Sequence, residues 1–190
     1  MIRRPKHARS PSGELVGNEH SAEQEAAYLR RLQEGDELAW RQFLDEWNPR
    51  LYRYMKYNIR DASEAEEVLS DTLVALVQAI RTFDGKVTLA TFIYSIAYRK
   101  VADYWRKLRV TQELTEWISA GETDHTRLEV YEALAELPEQ SQQALLLRYY
   151  VGLSVAEIAE VLGRSYKATE SLLSRVRRQF EVAFMNGAEA

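Results

Sequence analysis

The sequence contains no cysteine, and its 190 residues include only 8 glycines, 4 prolines and 3 histidines. Without thiols the chain cannot form disulfides, and thiolate catalysis, cysteine-ligated zinc sites and iron–sulfur clusters are excluded as well. None of the histidines (His7, His20 and His125) has neighbours typical of a metal site or a catalytic triad. We therefore expect no cofactor and no enzymatic activity.

Residues that break helices are scarce, while hydrophobic residues make up 46% of the chain and charged residues 28%. These proportions are those of a soluble globular protein. Two of the prolines, Pro5 and Pro11, lie near the N-terminus, so the rest of the chain has few helix breakers. The composition therefore predicts an all-α fold.

Long apolar runs are also missing from the sequence. No segment approaches the roughly 18 apolar residues that a membrane span needs, and the N-terminus lacks the apolar core of a signal peptide. These absences predict a cytoplasmic protein without membrane insertion. The net charge of −4 excludes a globally basic nucleic-acid coat, so any contact with DNA must use local patches.

We predict two small helical domains joined by a linker. Residues 1–21 form a disordered basic tail, which is either solvated or an arm that contacts phosphates. Residues 22–109 form the first domain. Residues 110–126 show weak periodicity and are assigned to the linker, and residues 127–185 form the second domain.

In the first domain, apolar residues recur every three or four positions and predict four helices. The first helix ends at Gly35, and Asp36 can cap the second. The dipeptide Asn48-Pro49 indicates a kink or a restart within that second helix.

The third predicted helix begins with a capping box at Ser63–Glu66, in which side chains and free backbone N–H groups pair reciprocally. One face of this helix is acidic. Taken alone, such a face is usually solvated and is favourable near a helix N-terminus. Its residues are Glu64, Glu66, Glu67, Ser70 and Asp71.

The fourth predicted helix, from about Thr88 to Leu108, carries basic and aromatic residues away from its apolar stripe. Such a mixture suits single-stranded nucleic acid, because bases stack on rings while cations follow the backbone. The adjoining loop, residues 83–88, can form a pocket for an unstacked base; a core or half-buried role is the alternative for the aromatic residues. The residues of this face are Tyr94, Ser95, Tyr98, Arg99, Trp105, Arg106 and Lys107.

The second domain shows a helix-turn-helix pattern. A capping box at Ser154–Glu157 begins a short helix, Gly163 ends it, and Ser165 can cap a longer last helix. Polar side chains of that last helix can reach major-groove edges and phosphates; the alternative is a helical hairpin with a solvated basic face. These side chains belong to Lys167, Ser171, Ser174, Arg175 and Arg178.

Two sets of motifs resemble one bacterial family, the extracytoplasmic-function (ECF) sigma factors of RNA polymerase. Their second conserved region is similar to the stretches Ala65–Thr72, Phe83–Gly85 and Phe92–Ala97. Their fourth region is similar to Leu137–Glu139, Leu145–Tyr149, Gly152–Ser154, Glu157–Ala159 and Leu162–Gly163. Both resemblances occur in the expected order, which is more specific than a single helix-turn-helix.

The resemblance implies a transcription initiation factor with core RNA polymerase and promoter DNA as partners. Docking on the polymerase clamp helices would use Glu66, Glu67, Ser70 and Asp71. Capture of a flipped non-template base at the −10 element would use Phe83, Asp84, Gly85, Lys86, Val87, Thr88, Tyr98, Arg99 and Arg106. Reading of the −35 element would use Lys167, Glu170, Ser171, Ser174, Arg175 and Arg178.

Some positions depart from the family pattern. Ser70-Asp71 replaces a common Gln-Glu pair, and Arg99 replaces an Asn that is usual in the −10 pocket. In the recognition helix, Glu170 replaces a basic residue. A carboxylate repels phosphate but can accept a hydrogen bond from cytosine N4. The resemblance therefore does not predict which −35 sequence this chain prefers.

Two other classes of protein are alternatives to a transcription initiation factor. A stand-alone helix-turn-helix regulator that binds duplex operators as a dimer would use residues 22–110 for sensing or dimerisation. A helical enzyme would need convergent catalytic groups, whereas Glu66 and Glu67 are adjacent and do not face each other on a helix. The sequence leaves open the promoter sequence, the inducing stimulus, the role of the tail, the oligomeric state and whether an anti-sigma factor binds.

Overall fold

The computed structural model describes residues 19–111, 130 and 132–187. The expectations for most of the basic tail and most of the linker therefore lie outside the described residues. Every regular element in the described ranges is helical, which confirms the all-α prediction. None of the helices in these ranges has both the length and the apolar character required to cross a bilayer.

The N-terminal unit consists of four helices: α1 (Glu19–Gln33), α2 (Glu37–Asn58), α3 (Ala62–Ile80) and α4 (Leu89–Thr111). Gly35 adopts a left-handed φ of 81° between α1 and α2. The predicted cap of α2 is confirmed, since the Asp36 carboxylate accepts hydrogen bonds from the backbone N–H groups of Leu38 and Ala39. Arg31 orients this carboxylate through an ion pair of 2.8 Å.

The predicted restart of α2 at Asn48-Pro49 is wrong, because the helix runs through Pro49 without interruption. A helix interior tolerates proline poorly, since the ring removes one hydrogen bond and crowds the preceding turn. Here the apolar stripe continues on both sides of the proline, with Trp47 and Leu51 buried on the same face. Tertiary packing of this face outweighs the local penalty.

Two other helix boundaries differ from the expectation. The N-cap of α3 is Asp61, whose side chain accepts from the Glu64 N–H, so the predicted capping box at Ser63–Glu66 is wrong. An acidic side chain two residues earlier takes the capping position and starts the helix sooner. At the other end of the unit, α4 continues to Thr111, beyond the predicted Leu108.

The core of the N-terminal unit is rich in aromatic and aliphatic side chains. Phe43, Tyr54 and Ile93 are fully buried, and the rings of Trp47 and Tyr94 meet edge to face with centroids 6.1 Å apart. Tyr94 is buried, so for this ring the core role that the sequence left open as the alternative is confirmed. The remaining core positions include Leu32, Ala39, Leu51, Met55, Ile59, Leu69, Leu76, Ile80, Ala97 and Val101.

The C-terminal unit comprises helical residues 132–135, α5 (Glu139–Leu146), a π-helical turn (Leu147–Val151), α6 (Val155–Leu162) and α7 (Tyr166–Gly187). The π-helical turn ends at Gly152, which has a left-handed φ of 88°. The π-helical turn was not predicted, because periodicity does not distinguish a single wide turn from an α-helix.

The two units pack against each other, with α6 on α4 and α5 on α2. Three glutamines of α5 lie at this contact. The amide of Gln143 accepts a hydrogen bond of 2.9 Å from the Tyr54 hydroxyl, Gln142 donates to the Tyr57 carbonyl at 2.5 Å, and Gln140 donates to the Tyr98 hydroxyl at 3.3 Å. Hydrogen-bonded amides and hydroxyls therefore join the units together with apolar packing, since buried apolar side chains of both units form one core and the rings of Tyr57 and Tyr150 lie 5.1 Å apart.

Candidate nucleic-acid interface

The helix-turn-helix is built from local signals that the structure confirms. Ser154 and Glu157 form the predicted capping box at the start of α6. Gly163 has a left-handed φ of 62° at the turn, and the Ser165 hydroxyl accepts from the Ala168 N–H at the start of α7. Leu172 and Val176 are buried, which fixes the rotation of α7 about its axis.

Because one side of α7 is buried, its opposite side forms a continuous polar face. Arg175 and Arg178 lie about one turn apart on this face, and the Arg178 guanidinium donates a hydrogen bond to the Ser174 carbonyl at 3.4 Å. The face also contains a carboxylate, at Glu170. All six residues predicted to read the −35 element are exposed here: Lys167, Glu170, Ser171, Ser174, Arg175 and Arg178.

The loop at residues 83–88, called the −10 loop below, is closed by its own hydrogen bonds. Asp84 accepts from the Lys86 N–H and forms an ion pair of 2.5 Å with the Lys86 ammonium. The hydrogen bond from the Lys86 side chain, the largest influence, lowers the pKa of Asp84 below its ordinary value. Gly85 has a left-handed φ of 71° at the tip, so the loop folds back tightly before α4 begins.

The residues predicted for the −10 element fall into two groups. Asp84, Gly85, Lys86 and Thr88 are exposed, whereas Val87 is half-buried. Phe83 is buried, and its ring stacks on the Phe92 ring with centroids 4.1 Å apart. Phe83 therefore supports the loop from below and offers no free ring face to a base.

On α4, Arg99 and Arg106 are exposed, and each contacts a neighbouring residue of the same helix. Arg106 forms an ion pair of 2.7 Å with Asp103, and Arg99 donates to the Ser95 hydroxyl at 3.4 Å. Tyr98, the third predicted residue of this helix, is half-buried beneath Gln140 of the other unit. The two arginines are therefore accessible, while the tyrosine ring is partly covered.

The acidic face of α3 is accessible in this structure. Glu66, Glu67, Ser70 and Asp71 are all exposed, and Asp71 forms an ion pair of 3.7 Å with Lys100 of α4. The neighbouring carboxylate of Glu64 is only half-exposed and accepts a hydrogen bond from the Tyr104 hydroxyl. Partial burial is the main cause that raises the pKa of Tyr104, and this hydrogen bond to Glu64 raises the pKa further. Glu64 therefore packs against α4, and the other four residues face solvent.

The most informative contact of the site was not expected from the sequence. The side-chain hydroxyls of Thr88 and Thr91, at the start of α4, both donate to Glu157 Oε1 of α6 at 3.1 Å. The other oxygen, Oε2, accepts from the Ser154 N–H at 2.8 Å. Partial burial would raise the pKa of Glu157, but the hydrogen bonds from Ser154, Thr88 and Thr91 outweigh it and lower the pKa.

Sequence reasoning missed the residues that join the two units. Thr91 and Glu157 belong to this set, as does Gln143, which is almost fully buried. The glutamine cluster at 140–143 was a usable signal, since buried amides require hydrogen-bond partners. Glu157 gave no such signal, because its role in the capping box already explained it.

The described residues contain no group of three or more His, Asp or Glu side chains that could hold a metal ion. The described residues present accessible polar faces on three helices. One face is acidic, on α3, and two faces with basic residues lie on α4 and α7.

Comparisons with known proteins identify both units. Residues 43–111 match the family model for sigma-70 region 2, and residues 127–180 match the model for sigma-70 region 4. The chain is 29% identical over 164 residues to the ECF RNA polymerase sigma factor BldN of Streptomyces coelicolor, and this match covers 79% of the chain and 62% of BldN. It is 26% identical over 136 residues to the sigma factor SigV of Bacillus subtilis, covering 69% of the chain and 82% of SigV.

Solved structures show the same fold. CnrH, determined in complex with the cytosolic domain of CnrY, has a TM-score of 0.68 at 23% identity, covering 87% of this chain and 99% of CnrH. The sigma factor RpoE of Bartonella quintana, in complex with the anti-sigma factor NepR, has a TM-score of 0.67 at 19% identity, covering 77% of this chain and 96% of RpoE. With regions 2 and 4 present in order, the chain belongs to the sigma-70 family of RNA polymerase sigma factors and is similar to ECF members of that family.

Proposed function

We propose that this protein is a transcription initiation factor that binds core RNA polymerase, directs it to promoters and assists their opening. The observation that carries this function is the presence of sigma-70 regions 2 and 4, in order, on one chain. We assign residues 22–109 to polymerase binding and −10 recognition and residues 127–185 to −35 recognition, with residues 110–126 as the linker. The protein itself catalyses no reaction.

We assign reading of the −35 element to the polar face of α7. Its exposure and its rotation, fixed by buried Leu172 and Val176, support insertion into a major groove. A bidentate contact between one arginine, such as Arg175, and a guanine contributes about 1–3 kcal/mol of discrimination. Glu170 can accept from cytosine N4 and would thereby alter the preferred sequence at its own position.

We assign −10 recognition to the −10 loop and to the exposed arginines of α4. Extruding a base from the DNA stack costs a few kcal/mol, so the loop must return this free energy through hydrogen bonds and stacking. Lys86 and Thr88 are exposed for this purpose, while Arg99 and Arg106 can follow the phosphate backbone. Phe83 contributes indirectly, by stacking on Phe92 and holding the loop in place.

The acidic face of α3 is the proposed polymerase-docking surface. Glu66, Glu67, Ser70 and Asp71 share one exposed side of the helix. A basic surface on the polymerase would complement these carboxylates. The salt bridge to Lys100 leaves the Asp71 side chain 61% exposed, so the carboxylate is accessible to a partner.

The solved relatives suggest a further partner. RpoE of Bartonella quintana was determined with the anti-sigma factor NepR, and CnrH with the cytosolic domain of CnrY. By analogy, we include an anti-sigma factor among the proposed partners of this chain, and we place the chain in the cytoplasm, where RNA polymerase works.

A pull-down with core RNA polymerase tests the function and locates the docking surface. We expect the wild type to be retained stoichiometrically and the double variant Glu67→Lys, Asp71→Lys to be lost, because charge reversal makes the docking face repulsive. The matched control is Glu132→Lys, Glu136→Lys, which reverses two exposed carboxylates at the same spacing in the other unit. This control should be retained like the wild type.

Circular dichroism of each variant establishes that its helices are intact. If a folded wild type is not retained, the sigma-factor function is wrong, and a stand-alone regulator that binds palindromic duplex sites becomes the explanation. If the control is lost together with the Glu67→Lys, Asp71→Lys variant, docking depends on total charge, and the assignment of α3 fails.

A further inference from the structure

The first helix, α1, contacts the chain at both ends of the −10 loop. At one end, the side-chain amide nitrogen of Gln33 donates to the Ile80 carbonyl at 3.1 Å and to the Phe83 carbonyl at 2.9 Å. At the other end, the Leu89 N–H donates to Glu25 Oε1 at 3.2 Å. Two side chains of one helix therefore bind the backbone on either side of a loop that lies 47 to 64 residues away in the sequence.

The half-buried amide of Gln33 bridges the end of α3 and the start of the −10 loop. The last carbonyl groups of a helix have no partner within that helix, and Ile80 is the last residue of α3. Because a primary amide has two N–H donors on one nitrogen, Gln33 can bind the carbonyls of Ile80 and Phe83 together. A glutamate of the same shape would offer no donor and would place a negative charge beside two carbonyl oxygens. The bridge therefore requires the amide.

Glu25 binds a backbone group at the start of α4, where the −10 loop ends. The first N–H groups of a helix have no partner within that helix, and a carboxylate beside them is favourable. One of these groups is capped locally, since the Thr88 hydroxyl accepts from the Thr91 N–H at 3.2 Å. The Leu89 N–H is bound instead by Glu25. A side chain from another helix thus fixes the point at which the loop becomes helical.

The position of α1 is itself fixed by α2. The Trp40 indole N–H donates to the Leu32 carbonyl at 3.0 Å, and the Leu32 side chain is buried in the core. Glu25 and Gln33 are eight positions apart, so they lie on one side of α1 and are separated by about 12 Å along its axis. All of these contacts lie within the N-terminal unit, so α1 can support the −10 loop without the C-terminal unit.

From these contacts we propose that Gln33 and Glu25 are positioning residues, which hold the −10 loop in the conformation that receives the extruded base. The proposal rests on the proposed function of the loop and extends that function to α1, which precedes the residues 43–111 that match sigma-70 region 2. Capture of a base must offset the cost of unstacking it, and a loop that is already ordered loses less conformational entropy when it binds. Removing either contact should therefore weaken base capture and leave binding to polymerase and to the −35 element unchanged.

Selection of promoter DNA by the reconstituted holoenzyme tests this role. Core RNA polymerase that carries each full-length variant transcribes a duplex library with randomised −10 and −35 elements, and the transcribed templates are sequenced. We expect Gln33→Leu and Glu25→Ala to lower the enrichment of the preferred −10 base about threefold to tenfold, the factor that one hydrogen bond contributes, with the −35 preference unchanged. A general loss of folding would lower both preferences together, so the comparison between them separates positioning from stability.

Three further variants serve as controls. Gln24→Leu changes an exposed glutamine of α1 and should select the same promoters as the wild type. Glu25→Gln keeps an oxygen that can accept from the Leu89 N–H, so it should restore most of the selectivity that Glu25→Ala loses. Gln33→Glu keeps the shape of glutamine without its donors and should fail as Gln33→Leu does. Wild-type selection by Gln33→Glu, or equal failure of Glu25→Gln and Glu25→Ala, would overturn the hydrogen-bonding roles.

Amide hydrogen exchange in the free protein separates failure of this proposal from failure of the proposed function. In Glu25→Ala the Leu89 amide should exchange about threefold to tenfold faster than in the wild type, whereas Gln24→Leu should leave its rate unchanged. An unchanged rate in Glu25→Ala, or a faster rate without any loss of −10 selectivity, overturns the positioning role. If the wild type binds no core polymerase, the sigma-factor function fails, while the exchange rates still decide whether α1 holds the loop.

Discussion

The buried hydrogen bond between Tyr54 and Gln143 allows a quantitative prediction about how strongly the two units support each other. Tyr54 is fully buried, Gln143 is 2% exposed, and the Tyr54 hydroxyl lies 2.9 Å from Gln143 Oε1. The pKa of Tyr54 is raised well above its ordinary value, mainly because the side chain is buried. The hydroxyl is therefore neutral near pH 7 and can donate this hydrogen bond. The Tyr54→Phe variant deletes this donor and leaves the ring in place.

The expected magnitude follows from the acceptor that remains. A buried polar atom left without its partner costs about 1–3 kcal/mol, whereas removing both partners can be nearly neutral. Tyr54→Phe should therefore lower the free energy of unfolding by about 1–3 kcal/mol. Adding Gln143→Leu should recover part of that loss, with a coupling energy of roughly 0.5–3 kcal/mol.

Urea unfolding, followed by circular dichroism, measures these differences. Tyr166→Phe is the control, because Tyr166 is 54% exposed and its substitution should change stability by less than about 0.5 kcal/mol. The reasoning is refuted if Tyr54→Phe behaves like this control, or if the effects of Tyr54→Phe and Gln143→Leu are additive. Either result would mean that the two units do not share a buried hydrogen bond in solution.

Three further predictions concern single elements. Pro49→Ala should stabilise the protein by up to about 3 kcal/mol in urea unfolding, since alanine restores a helical hydrogen bond; a loss of stability would contradict the unbroken α2. Gly163→Ala should lower the free energy of unfolding by about 1–2 kcal/mol, because alanine is strained at a left-handed φ. The new Cβ meets no atom within 4 Å, so no steric clash adds to this strain. An unchanged melting temperature would exclude the left-handed turn. In the folded state the pKa of Asp36 lies below its ordinary value of 3.8, mainly because of the hydrogen bond from Arg31. The ionised carboxylate therefore stabilises the fold fully at pH values above 3.8, and this stabilisation is lost as the pH falls through the lowered pKa. Melting curves of Asp36→Asn should therefore fall less steeply on acidification than those of the wild type, and parallel curves would rule out this contribution.

Features that depend on neighbours in the sequence were predictable in this chain. Asp36, the capping box at Ser154 and the turn at Gly163 each satisfy backbone groups within a few residues, so local rules suffice to identify them. The all-α architecture followed from the scarcity of helix breakers, and the individual helices followed from the spacing of apolar residues. The restart at Pro49 was predicted wrongly for the same reason, because the local rule ignored the apolar stripe that continues past the proline and is buried by other helices.

Features that depend on contacts between distant residues were not predictable. The sequence left open whether Tyr94 lies on the surface of α4 or in the core, and only the structure shows that the rings of Trp47 and Tyr54 of α2 pack against it. Phe83 was placed in the −10 loop correctly, yet only its stack on Phe92 shows that the ring supports the loop from below. Local spacing cannot show which helix covers a given side chain, so the assignment of roles within each surface required the fold.

Glu157 shows why a complete local explanation can hide a long-range one. A carboxylate has two oxygens with about four acceptor sites, and a capping box uses only some of them. Here Oε2 accepts from the Ser154 N–H, which starts α6, while Oε1 remains available for Thr88 and Thr91. Shortening the residue to aspartate would shift both oxygens, so the length of glutamate is needed for the two contacts to coexist. We therefore expect Glu157→Asp to lower the free energy of unfolding by about 1–2 kcal/mol, because the Thr88 and Thr91 hydroxyls lose their acceptor. An unchanged midpoint of urea unfolding would show that the shorter side chain keeps both contacts.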